Sequence, residues 1–296
     1  MNRTMAYDDP GWNRASAWLK DESLEPHVEL HVVGVPINRS VTPGSCHLAP
    51  AAIREALFRY STQTFYNFSD VRHAKAIDHE DTVEVETLSS IMASGPAVLL
   101  GGDNGVTRLG VNALAKALGK PLTEIGLITL DAHLDLRHLD DGPMNGNPVR
   151  GLLADGLLGS NVVQIGIQSF ANSPEYARFG VSQGIRTVSS ELCHSGDFEI
   201  LFETELERLA DRCRAVYFDL DLDVMDRAFA PGCPGSRPGG LTPHHIRQAA
   251  RVAGANPKVL VMDLVELDPE LDINSATSMA AAACLLEFAS GVLASS

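Results

Sequence analysis

The chain has no block of Lys and Arg: 23 basic side chains stand against 38 acidic ones among 296 residues, for a formal net charge of -15. A nucleic-acid face needs clustered cations to displace counterions, so that class of partner is set aside, and the acidity serves solubility. There is no Cys-x-x-Cys spacing either. Cys46, Cys193, Cys213, Cys233 and Cys284 are scattered and odd in number, and they read as reduced thiols packed as small hydrophobes. Residues 1–23 lack the apolar run of a secretory signal, so a cytoplasmic location is expected. The longest apolar stretch, 279–293, is short for a bilayer and is interrupted by Glu287 and Gly291, so a buried helix is expected there and no membrane partner. Repeats, low-complexity tracts and linkers are also missing. Residues 1–296 therefore read as one domain, with 1–25 as a peripheral N-terminal extension.

What is present is an alternation of short β-rich runs with helical stretches, in a chain whose 45% hydrophobic residues fill a sizeable core. Strands are expected at 28–35, 97–100, 125–130, 161–165, 186–188, 215–220 and 259–264. Helices are expected between them, for example at 50–58, 106–117, 199–213 and 243–252. Each parallel connection needs a crossover, so this order predicts an α/β fold with a mainly parallel sheet covered on both faces. Ligands of such sheets gather outside the carboxyl ends of the strands. Four of the expected strands run into acidic residues there: Asp103, Asp131, the pair Asp219 and Asp221, and the pair Asp263 and Glu266.

Two runs concentrate this chemistry: Asp131-Ala132-His133-Leu134-Asp135 and Asp219-Leu220-Asp221-Leu222-Asp223. If they are extended, alternate side chains leave one face and can line one pocket. Carboxylates crowded together repel one another unless protons or divalent cations neutralise them. Carboxylate oxygens with one imidazole suit manganese, and two such ions can share a water and lower its pKa toward ~7.

These runs resemble the Asp-Ala-His-x-Asp and Asp-x-Asp-x-x-Asp boxes of the ureohydrolases, the arginase, agmatinase and formimidoylglutamase family. Gly101-Gly102-Asp103 resembles the start of that family's first metal motif, and the similarity extends from Gly34-Val35-Pro36 through Pro238-Gly239-Gly240-Leu241-Thr242 to Glu266. The resemblance implies a three-layer α/β/α arginase-like fold around an eight-stranded sheet, two Mn2+ ions and a homo-oligomer, trimer or hexamer. It implies Asp131 and Asp221 as bridging ligands, Asp135 as a ligand of the first ion, and His133 and Asp223 as ligands of the second. Glu266 matches the residue that pairs with the substrate's amidinium, and Asp135 is the candidate to take and deliver the proton. Asp219, one step deeper, reads as a supporting residue.

Two departures bear on function. Where the family reads Gly-Gly-Asp-His-Ser, this chain has Asn104-Gly105, so the first ion loses an imidazole and Asn104 offers a carbonyl oxygen as a weak or lost ligand. A weaker first ion is expected. The arginase-like histidine of the next loop is Asn145, which cannot shuttle a proton. Features around Asp131 to Arg137 and Asp263 to Pro269 resemble formimidoylglutamases. The expected function is therefore hydrolysis of N-formimino-L-glutamate to L-glutamate and formamide in histidine breakdown, with Arg137, Asn145, Asn147 and Arg150 walling the substrate pocket. A guanidino-acid hydrolase releasing urea and a metal-poor amidine-binding paralogue without turnover are the alternatives.

Overall fold

A computed structural model describes residues 9, 11–20 and 28–295. Eight strands form one sheet: β1 Val28–Val35, β2 Ala74–His79, β3 Ala97–Gly101, β4 Ile125–Leu130, β5 Val162–Ile167, β6 Arg186–Ser189, β7 Ala215–Asp221 and β8 Val259–Val265. They are all parallel, in the order β2-β1-β3-β8-β7-β4-β5-β6. The chain builds β1 to β3 on one side, crosses to lay down β4 to β6, and returns with β7 and β8 to close the centre. Seven of these strands are the expected ones with ends shifted by a residue or two. The eighth, β2, was not anticipated: Ala-Lys-Ala-Ile-Asp-His is half-buried, mixes charge with apolar residues, and lies at the sheet edge where only one neighbour pairs with it.

The strands β4, β5 and β7 are buried along their whole length, because helices cover both faces. Side-chain alternation then divides the interior into two cores. Leu100, Ile128, Phe218 and Met262 point to one, with helices Ala49–Ala56, Phe198–Ala210, Pro243–Ala255 and Ala276–Ser295. Leu99, Leu127, Tyr217 and Val261 point to the other, with helices Val85–Met92, Gly105–Leu118 and Pro148–Asp155. This is the three-layer α/β/α arrangement. Helix Ala276–Ser295 is the apolar stretch noted in the sequence; it is long and apolar enough to cross a membrane, yet 78% of its apolar window is buried in this core.

Much of the expected peripheral extension, 1–25, lies outside the described residues. The part that is described is not peripheral: Ala15 and Trp18 are buried, and Trp18 Nε1 donates to the Ala74 carbonyl at 2.7 Å. A large ring with a satisfied N–H holds the short helix Ala15–Trp18 against β2. Trp18→Ala is expected to cost about 3–5 kcal/mol in urea unfolding; an unchanged unfolding midpoint would mean that this segment does not dock.

Candidate metal centre and substrate pocket

The four central strands, β3, β8, β7 and β4, are neighbours, so their carboxyl ends meet at the crevice where the strand order turns back. β7 ends on Asp221, and one 3-10 turn, Leu222–Val224, carries Asp223; the Asp223 N–H donates to Asp221 Oδ1 at 2.8 Å and fixes that turn. β4 hands over to Asp131, whose Oδ1 accepts the His133 N–H at 2.6 Å. The second half of this run is not extended, as alternation had suggested. Asp135 lies at φ 52°, in the left-handed region, and Glu266, just beyond β8, lies at φ 66°. Such backbone costs a non-glycine residue about 1–3 kcal/mol, and it collects at functional sites.

The arrangement has two halves. In one, the ligand atoms of Asp131, His133 and Asp223 lie within 4.8 Å of one another, with His133 Nδ1 2.9 Å from Asp223 Oδ2. Gly235 closes over them, and a Cβ there would collide with the Asp223 carboxylate. In the other half, Asn104 Nδ2 donates to Asp135 Oδ2 at 2.6 Å and to Asp221 Oδ2 at 3.2 Å. Asn104 thus places its nitrogen between the carboxylates, not the carbonyl oxygen expected from the sequence; that oxygen accepts from Thr107 Oγ1 at 2.5 Å. The reason is electrostatic: two carboxylates ask for donors. The donor set of the first half fits a divalent cation as it stands, whereas the second half fits one only if the Asn104 amide turns over.

Burial dominates the electrostatics. It drives Asp135 and Asp221 well above the usual carboxylate range, and neighbouring acids add to the rise. Burial likewise lifts Asp131 to about 6 and Glu266 to about 8, with the Asp223 charge contributing to both. Asp223 is the exception: burial works to raise it, but the His133 charge and hydrogen bonds outweigh that and hold it low. The Asp223 charge in turn pushes His133 up to about 11. Arg237 opposes this, because its Nη1 lies 2.6 Å from His133 Nε2 and a guanidinium can only donate. In that contact Nε2 accepts, and Nδ1 carries the proton toward Asp223.

A cavity of about 390 Å³ opens onto the cluster and is lined by His133, Asp135, Asp221, Asp223 and Glu266 with Arg137, Asn145 and Arg237. Glu266 Oε1 accepts from the Asn104 N–H at 2.8 Å and from Asn145 Nδ2 at 2.9 Å, and Asn145 Oδ1 accepts from the Val41 N–H. Asn145 and Arg137 therefore stand where the sequence put them. Asn147 and Arg150 do not. Asn147 is buried inside its own loop, donating to the carbonyls of His138 and Gly142, because a turn rich in polar backbone needs an internal partner. Arg150 donates to the Leu136 carbonyl and stacks 4.2 Å over the Phe179 ring, which holds it behind the wall. Asp103 accepts from the backbone of Arg39 and Gly105, so it shapes the loop and stays off the cavity wall. Asp219 and Asp263 lie beneath, bonded to each other. Arg237 is the residue missed from the sequence; the signal was a lone cation in Gly235-Ser236-Arg237 immediately before Pro238-Gly239-Gly240. A second cavity, about 360 Å³, lies between residues 60–66 and the helices Pro243–Ala255 and Ala276–Ser295, away from the acidic cluster.

A parallel three-layer sheet with clustered acids and one imidazole at its central strand ends defines a metal-site α/β protein of the hydrolase kind. The chain belongs to the arginase family, whose model matches residues 28–290. It is 33% identical over 278 residues to a formimidoylglutamase of Halalkalibacterium halodurans, covering 88% of this chain and 86% of that one. A guanidino acid hydrolase of Homo sapiens is 33% identical over 207 residues, 68% of this chain and 56% of that one. The crystal structure of formimidoylglutamase from Bacillus subtilis superposes with a TM-score of 0.89 at 26% identity, covering 99% of this chain and 95% of that one.

Raised carboxylate pKa values make a stability prediction with a definite sign. Asp131 and Glu266 bind a proton more tightly folded than unfolded, so their contribution is complete at acid pH and is lost as pH climbs through about 6 and about 8. A cation that replaces those protons stabilises the fold more as pH rises. The Tm increase produced by saturating Mn2+ is therefore expected to be larger at pH 8 than at pH 5.5; an equal increase at both would contradict the assignment of these acids to a cation site. The same residues predict unequal sites: equilibrium dialysis should find one tightly and one weakly held Mn2+, and two tightly held ions in Asn104→His. Two tight ions in both proteins would refute the role given to Asn104.

Proposed function

We propose that this chain is a manganese-dependent hydrolase of linear amidines that converts N-formimino-L-glutamate and water to L-glutamate and formamide. The observation that carries the reading is one cavity in which the acidic cluster and Glu266 stand side by side. Asp131, His133 and Asp223 would hold one ion, Asp135 and Asp221 would complete the position of the other, and Asp131 and Asp221 are the bridging candidates. When bound, the ions supply Lewis acidity and an activated water.

The chain's own groups do the rest. Glu266 Oε1 is engaged by Asn104 and Asn145, while Oε2 takes no hydrogen bond among the described residues and is free to accept the N–H pair of an amidinium. That cation would displace the proton which burial otherwise keeps on Glu266. Asp135, whose carboxyl is strongly raised, holds a proton for the departing nitrogen. In the balanced step the water oxygen becomes the formamide oxygen, the bond from the formimino carbon to the glutamate nitrogen breaks, and that nitrogen gains a proton. Asn145 positions Glu266 and cannot shuttle a proton, which suits a formimino carbon better than the more demanding guanidine.

The similarity to the formimidoylglutamase of Halalkalibacterium halodurans supports this substrate, and that to the human guanidino acid hydrolase supports the second reading, release of urea. A single-domain chain, a homo-oligomeric state by family membership and a cytoplasmic location are parts of the same proposal; all five cysteines are free and buried, as suits a reducing compartment. Assays of formamide and urea across N-formimino-L-glutamate, arginine and agmatine separate the readings. Formamide is expected from the first alone, and Glu266→Gln should lower kcat/KM by roughly 10²-fold. Urea from a guanidino substrate would favour the second reading, and saturable binding without any product would favour a non-catalytic paralogue.

A further inference from the structure

The cavity is acidic at its floor and cationic at its mouth. In a chain with a formal net charge of -15, Arg54, Arg72, Arg108, Arg186, Arg247 and Arg251 each take a carboxylate partner. Arg137 and Arg237, both exposed and both lining the cavity, take none among the described residues. An unpaired guanidinium at a concave site is a fork of donors waiting for an anion.

Arg237 has a second distinguishing contact. Its Nη1 donates to the Gly235 carbonyl at 2.7 Å and rests 2.6 Å from His133 Nε2. A neutral imidazole has one lone pair and one N–H, and arginine offers no acceptor. The contact therefore survives only while the His133 lone pair lies on Nε2. His133 Nδ1 faces Asp223, inside the group of ligand atoms suited to a cation. Once a cation takes the Nδ1 lone pair, the hydrogen must move to Nε2, two donors then face each other, and the guanidinium loses its seat.

We propose that Arg237 binds a carboxylate of the substrate and that it is released for this task when His133 accepts a cation through Nδ1. Binding of the cation and of a dicarboxylate amidine are thereby coupled: the ion frees the arginine, and Arg237 with Arg137 supplies two positive charges for two carboxylates while Glu266 takes the amidinium. The same pair disfavours a substrate whose far end is cationic or neutral. This inference rests on the amidine-hydrolase reading for its substrate, although the cavity's preference for diacids stands apart from turnover.

Calorimetric titration with L-glutamate and with unreactive glutarate, each on protein with and without Mn2+, measures the coupling directly. The expected result is that Mn2+ tightens both diacids by roughly ten-fold or more in the unaltered chain, and that this gain falls several-fold in Arg237→Gln. Arg237→Lys, which keeps the charge and loses the fork, should retain part of it. With N-formimino-L-glutamate, Arg237→Gln is expected to raise KM roughly ten-fold with kcat little changed. Equal diacid affinity in Arg237→Gln and the unaltered protein, with Mn2+ bound to both, would overturn the proposal. If the unaltered enzyme binds diacids through Arg237 yet releases no formamide, the hydrolase reading fails and the clamp survives.

Discussion

Everything in this molecule turns on the cost of gathering acids where water cannot reach them. Asp131, Asp221, Asp223 and Glu266 are nearly inaccessible, Asp135 only slightly less so, and all five meet at the ends of adjacent strands. An isolated buried carboxylate shifts its pKa to escape ionisation, and these do so except where His133 charges Asp223. Packing alone gives no reason to bring them together. The sheet's order does so because β7 and β8 return to the middle, and left-handed backbone at Asp135 and Glu266 is tolerated for the same end.

Beneath the cluster a second set of polar groups keeps the first in place. Thr107 Oγ1 bonds the Asn104 oxygen and lies 3.1 Å from Asp263 Oδ2, which also accepts from the Tyr217 hydroxyl at 2.7 Å. Asn104 is held from behind by this network and from the front by Asp135 and Asp221. An amide at this position keeps the two carboxylates apart from each other without a charge of its own, at the expense of the imidazole that relatives place there. The two halves of the centre consequently differ: one is ready for a cation, the other is already bridged by protein.

Much of this was legible in the sequence because burial on both faces leaves a plain trace. Runs such as Ile125–Leu130 are apolar throughout and end abruptly in acids, so strand, direction and site come together in one pattern. β2 left no such trace, being an edge strand with Lys75 and Asp78 in it. Alternation located Asp131, His133 and Asp135 correctly for a partly wrong reason, since the chain turns at Asp135 instead of running extended. Loop residues were the least legible. Asn147 and Arg150 sit within a few residues of Asn145, yet one satisfies its own turn and the other stacks on Phe179; Arg237, distant in sequence, reaches the cavity. Side-chain direction in loops depends on which backbone groups lack partners, and a linear motif does not encode that.

The most direct measurement is anomalous diffraction at the manganese edge from crystals grown with Mn2+. The account predicts a strong peak among His133 Nδ1 and the carboxylates of Asp131 and Asp223, with a second, weaker one beside Asp135 and Asp221. A map with no peak at either position, or with manganese held only at surface acids, would contradict it.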